Sequence, residues 1–332
     1  MISGPSTVRR VRVGCYLDLR NPPRWERPWA EHYARTLERC VEAERLGLDS
    51  VWCSEHHFFE DGYLPQPLTF LAGVAAATSR IRLGTAVYLA ALRPPVQVAE
   101  EAAVVDLLSG GRLELGLGAG YRVPEFAAYG ADIDRRYSLT DHCARELRRL
   151  WREGAVTPPP VQDPVPIWMG YQGPQGARRA GLLGEGLLSV EAALIEPYRA
   201  GLTEGGHDPG AARMAGLVNF VLADDPDAAW PRVREHLAYQ WDTYNAYMVE
   251  GTGRDTPRPI DPERWRVPSG DRPARFDVLT PEDAAARLHT TLGGLPVEEI
   301  YCWASIAGMP DDLVDRHLEL LATRLRPLLA NV

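Results

Sequence analysis

Apolar residues recur along the chain in two alternating rhythms. Short β-branched and aromatic runs predict strands at 11–17 (VRVGCYL), 49–55 (DSVWCSE), 80–90 (RIRLGTAVYLA), 112–120 (RLELGLGAG) and 166–170 (PIWMG). Between them the spacing turns helical. A helix is predicted over 30–46 on Ala34, Leu37 and Val41, with Gly47 as its stop, and others over 66–79, 95–111 and about 138–152. A further helix should begin near Gln175. Later strands are predicted at 184–190, 212–222 and 298–307.

Strand–helix alternation implies parallel strands joined by helical crossovers. Eight such units in 332 residues fit a single (β/α)8 TIM barrel spanning 1–332; a doubly wound sheet is the competing fold. The largest irregular stretch, 252–281, lies between strands seven and eight and is dense in Pro, Arg and Asp. A loop of that length inside a compact domain reads as a lid over the barrel mouth or as a passive insertion.

Composition narrows the chemistry. The formal charge is −9 with no basic run, which argues against nucleic acid and anionic membranes as partners. No run of about 18 apolar residues predicts a membrane span. The five cysteines form no metal spacing and suit reduced thiols in a cytoplasmic protein. All 36 basic residues other than histidine are arginine. Without lysine there is no internal Schiff base and no P-loop lysine.

In such barrels the active site lies at the C-terminal ends of the strands. Strand two ends in Glu55, His56 and His57. Adjacent residues in extended backbone point to opposite faces, so one imidazole at most faces the central cleft easily. That imidazole can serve as acid, base or hydrogen-bond donor, or can simply tie down the loop. A metal would need further ligands, and none is evident. Strand four runs into Gly116 and Gly118, and strand five is followed by Gly170, Gly173 and Gly176. These runs let the backbone approach a ligand, and a helix start beside them suits phosphate. The strict dinucleotide fingerprint fails because position 121 is tyrosine. Arg135 or Arg136, just before the next helix, can reach a phosphate. Asp106 and Arg112 could pair across the glycine turn between them. Trp241, Tyr244, Tyr247 and Trp303 are candidates for an apolar substrate pocket.

Taken together, EHHF (55–58), the stretch from Arg82 to Tyr121 with its VAEE and SGGRLELGLG segments, EFAAYG (125–130) and PIWMGYQGPQGARRAGLLGEG (166–186) resemble the bacterial luciferase-like flavin monooxygenases. The resemblance implies a barrel that binds reduced FMN, delivered by a separate flavin reductase, and uses a flavin C4a-peroxide formed with O2 to hydroxylate, or insert oxygen into, a small organic substrate. It implies that His56 is the working histidine, with Glu55 beside it, and that a non-prolyl cis peptide falls at Ala86–Val87 behind the flavin. It further implies a phosphate site on the loop from Gln172 to Gly176, including Gly173 and Gln175, with Gly118 and Gly170 close to the cofactor, and a homodimer. Where luciferase itself has a cysteine and a phosphate-binding arginine, this chain has Gly118 and Ala119, which shifts that task toward Arg136 or Arg135. Some relatives use the deazaflavin F420 for hydride transfer instead, usually with a single histidine in the strand-two motif. A flavin-binding paralogue without catalysis is the third reading.

Overall fold

The structure, a computed structural model, describes residues 10–268 and 274–330. Its barrel strands are β1 (Arg12–Leu17), β2 (Ser50–Cys53), β3 (Arg82–Thr85) continued by β4 (Tyr88–Leu89), β5 (Leu113–Gly118), β6 (Ile167–Met169), β7 (Gly186–Leu188) and β8 (Met214–Val218). Then come β9 (Phe220–Leu222) and β10 (Asp277–Leu279), outside the barrel, and β11 (Val297–Trp303), which closes it. The pairing runs β1–β2–β3–β5–β6–β7–β8–β11 and back to β1, parallel throughout. The break between β3 and β4 is the cis peptide Ala86–Val87.

The helices start and stop where the chain has the chemistry to do so. Helices α1 (Trp29–Leu46) and α2 (Pro67–Ala77) flank β2, and α3 (Pro95–Ser109) follows β4. Proline at the start of α2 and α3 loses no hydrogen bond, since the first-turn N–H groups have no partner within the helix. Gly47 and Gly110 end α1 and α3 at positive φ, where a Cβ would be strained. Next come α4 (Val123–Tyr129), α5 (Arg136–Arg152), α6 (Gly173–Leu183) and α7 (Ile195–Glu204). The short helix α4 was not visible in the apolar spacing, and α6 begins two residues before Gln175.

Two sequence expectations are corrected here. Asp106 and Arg112 do not pair: Asp106 accepts from the backbone and side-chain N–H groups of Gln162 at 2.8 and 2.7 Å. Arg112 instead donates to the carbonyls of Ala75, Thr78 and Ile81, satisfying the end of α2. The predicted strand 212–222 is broken at Asn219, whose side chain accepts from Trp303 Nε1. Its first half completes the barrel, and its second half pairs with β10.

Between β9 and β10 lie α8 (Pro226–Val249) and α9 (Pro262–Trp265). The proposed lid thus contains a helical turn and ends in a strand, with 269–273 outside the described residues. It packs on α8 through Ile260 N–H to Asp242 at 2.7 Å and through the Trp241–Trp265 ring pair. Helices α10 (Pro281–Leu292) and α11 (Asp311–Leu320) complete the shell.

The N-terminal end of the barrel is plugged by a buried polar layer. Trp52 Nε1–H donates to Glu299 and Trp168 Nε1–H to Glu114, with Arg12 within 3.3 Å of both carboxylates. Buried carboxylates need such partners, because leaving one unpaired inside a protein is costly. The opposite end is open to ligands.

Candidate active site

At the C-terminal ends of the strands lies a cavity of about 240 Å³. His56 lines it just beyond β2, anchored by its own N–H to the Leu64 carbonyl at 3.2 Å. The neighbouring Phe58 has φ 61°, which turns the chain sharply after the histidine pair.

Both nitrogens of His56 are engaged. Nδ1 is 2.9 Å from Glu125 Oε1, and Nε2 is 3.0 Å from the Tyr121 hydroxyl. Against a carboxylate oxygen, which accepts, Nδ1 is the donor; in that tautomer Nε2 accepts from Tyr121. The same Glu125 oxygen accepts the N–H of His57 at 2.9 Å, while Glu125 Oε2 is buried without a partner among the described residues. Burial pushes the Tyr121 hydroxyl well above its ordinary pKa, so it stays protonated at neutral pH.

His57 and Glu55 serve a different pairing. His57 Nε2 lies 2.7 Å from Glu55 Oε1, and Arg93 Nη1 lies 2.6 Å from the same oxygen. Glu55 Oε2 accepts the Leu89 N–H at 2.9 Å. The Glu55 carboxylate is thus consumed in tying β2 to β4, immediately after the cis peptide. Glu125 and Tyr129 stand four apart on α4, so one helix face meets both histidines: Tyr129 OH is 3.4 Å from His57 Nδ1.

Of the expected cofactor residues, Ala86, Val87, Gly118, Gly170 and Gln172 line the cavity together with His56 and Glu55. The two glycines leave room for Val87. A Cβ on Gly118 would stand 2.1 Å from Val87 Cγ2, and one on Gly170 2.2 Å from Val87 Cγ1. Gly173, Gln175, Gly176 and Arg136 do not line it. Gly176 is packed against Tyr171, where a Cβ would meet the tyrosine Cβ at 2.8 Å. Gly173 has φ 70° and open space around it, and Gln175 is exposed on the first turn of α6. Arg136 donates to the Ile133 carbonyl at 2.9 Å, and its Nε is buried without a partner among the described residues. That orphaned donor beside Tyr137, which does line the cavity, is an observation that fits an anionic group there. Arg135 is exposed.

Of the four aromatic candidates, Tyr244 lines the cavity; Tyr247 stacks on Phe59, Trp241 packs at a tilt on Trp265, and Trp303 is buried edge-on against Tyr16. None of 252–281, among the described residues, lines it. The reading missed Tyr16, Ser54, Tyr63, Tyr121, Tyr137, Tyr171 and Glu125. Glu125 alone left a trace, as a carboxylate one turn into a proline-started segment after GLGAGY.

Among the described residues no helix is long and apolar enough to cross a membrane. No cluster of three or more His, Cys, Asp or Glu is placed to hold a metal ion there.

The sequence profile described as luciferase-like monooxygenase matches residues 12–294. An F420-dependent glucose-6-phosphate dehydrogenase of Kineococcus radiotolerans is 31% identical over 62% of this chain and 69% of its own. The oxygenase component of the flavin-dependent trigonelline monooxygenase of Acinetobacter baylyi is 29% identical over 43% of this chain and 44% of its own. Several curated relatives are matched over about half their length, for example 55% for the Amycolatopsis mediterranei dehydrogenase. The crystal structure of monooxygenase RslO1 from Streptomyces bottropensis shares the fold, with TM-score 0.76 and 24% identity over 96% of this chain and 99% of that one. With a family match over most of its length, the chain belongs to the luciferase-like monooxygenase family of oxidoreductases.

Proposed function

We propose that the chain is the oxygenase half of a two-component system: it takes reduced FMN from a separate reductase and oxygenates a small organic substrate. The observation that carries this reading is His56, held inside the cavity by Glu125 on one side and Tyr121 on the other. The slot beside Val87, with open backbone at Gly118–Gly120 and Gly170–Gln172, fits a flat ring, and the orphaned Arg136 Nε fits a phosphate end. Reduced flavin, when bound, supplies the two electrons with which one atom of O2 enters the substrate and the other leaves as water.

The residues present do the rest. Glu125 fixes the tautomer of His56, so that Nε2 and the Tyr121 hydroxyl move a proton at the cavity wall. Glu55 positions β4 through Leu89 and Arg93. Helix α8, backed by Ile260 and Trp265, excludes water with Tyr244. We further assign a homodimer to the outer faces of α2 and α3; on α3, Val96, Val104, Leu107 and Leu108 are exposed.

Relatives that are F420-dependent dehydrogenases favour a second reading, hydride transfer on the same scaffold. Two titrations separate them. Protein loaded with FMNH2 without air and mixed with O2 should reoxidise the flavin more slowly than free FMNH2 does, with little H2O2 once substrate is present. Reoxidation at the free-flavin rate, with tight F420 binding and anaerobic turnover, would establish the hydride reading.

A further inference from the structure

Four hydroxyls form a cluster on the cavity wall around Tyr63. Tyr63 lies 3.2 Å from the Tyr16 hydroxyl and 2.7 Å from that of Tyr244, and is also hydrogen-bonded to Ser54 Oγ. All four residues line the cavity. Burial raises Tyr63 and Tyr244 well above the ordinary phenol range, so both keep their hydrogens at neutral pH. Each hydroxyl has one hydrogen and two lone pairs. However the hydrogens are shared inside the cluster, at least half of its accepting capacity stays open. A hydroxyl rotated outward donates instead.

The guanidinium behind this wall is already paired. Arg20 sits behind the rings, 5.3 Å from the Tyr244 centroid, and lies 2.6 Å from Asp61. Asp18 accepts from Gln240 at 3.0 Å and from the Arg20 N–H at 3.1 Å. An anionic ligand would meet no unpaired cation at this wall among the described residues, and burying an unpaired charge is unfavourable. A purely apolar ligand would cover open lone pairs without satisfying them.

We infer that the cluster of Tyr16, Ser54, Tyr63 and Tyr244 is the substrate-recognition wall, and that it takes an uncharged molecule through a hydroxyl or carbonyl oxygen. This rests on the oxygenase reading for the word substrate, but the binding it asserts does not need a flavin.

Equilibrium dialysis of the whole protein tests it with 2-naphthol, naphthalene and 2-naphthoate, each with and without oxidised FMN. Naphthol should bind about five- to tenfold tighter than either other probe, the worth of one or two neutral hydrogen bonds. Tyr244→Phe and Tyr63→Phe, checked for folding by circular dichroism, should erase the naphthol preference and leave naphthalene unchanged. Equal binding of the three probes, binding of none, or variants that keep the preference would overturn the inference. So would variants that lose FMN and keep naphthol, since the cluster would then serve the cofactor. Naphthol discrimination without any FMN binding would leave the wall standing and remove the flavin reading instead.

Discussion

One oxygen of Glu125 accepts both the His56 ring Nδ1–H and the His57 backbone N–H, each at 2.9 Å. The carboxylate therefore sets the ring's tautomer and the path of the chain at once. Glu125→Gln keeps the shape but can present N–H where a lone pair is needed. Oxygenation should fall about tenfold to a hundredfold, and His56→Ala should cost about 10²- to 10⁴-fold, with flavin binding retained. Product yield against H2O2 release, beside a circular dichroism spectrum, checks both. Full coupled turnover in His56→Ala would remove the histidine from the chemistry.

Arg93 and Glu55 are almost wholly buried as a pair. Removing Arg93 takes the full cation from the buried Glu55 carboxylate and leaves it only His57 and the Leu89 N–H. Arg93→Met should destabilise the fold by about 3–5 kcal/mol, read from urea unfolding. A loss below about 1 kcal/mol would mean that the pair is as weak as a solvated one.

Gly118→Ala sets a methyl against Val87, and overpacking of this kind costs about 1–3 kcal/mol. The expected result is a lower unfolding midpoint together with weaker FMN binding. Adding Val87→Ala should recover part of both. Additive losses in the double variant would show that the two residues do not share the space.

His317 is enclosed between β9 and β11. Its Nδ1 accepts the Leu222 N–H at 2.8 Å, and its Nε2 is 3.0 Å from the Trp303 carbonyl. Burial lowers its pKa to about 4 from the ordinary 6.5. Below pH 6.5 the unfolded chain takes up a proton that the folded one refuses until about pH 4. Stability is thus lost as pH falls through that window, by about 3 kcal/mol for this group. In His317→Gln the slope of unfolding free energy between pH 6.5 and 4 should drop by one proton's worth. An unchanged slope would place the acid sensitivity elsewhere.

The barrel was legible because its strands are buried on both faces and read as short apolar runs between glycine and proline stops. The break at Asn219 was not, because Phe220–Leu222 is as apolar as the strand before it; only the partner strand 277–279 reveals that it leaves the barrel. His56 was legible by its place at a strand end. Its partners were not, since Tyr121 and Glu125 come from a loop and a two-turn helix whose direction depends on packing. The glycines were visible, but what fills their space is Val87, and one sequence does not show which neighbour a missing Cβ makes room for.

Helix α8 gives the cavity a modular origin. Most of the cavity lining comes from residues 54 to 172, with Tyr16 from β1, whereas Tyr244 belongs to a single contiguous excursion between two barrel strands. That excursion is pinned at a few points: Gln240 to Asp18, Thr243 to Arg20, Tyr247 to the Glu60 N–H and Glu250 to Arg122. Grafting residues 226–249 from a relative, with those four anchor points kept, exchanges the roof without disturbing the floor. One member of the hydroxyl cluster is then exchanged while Tyr16, Ser54 and Tyr63 stay in place.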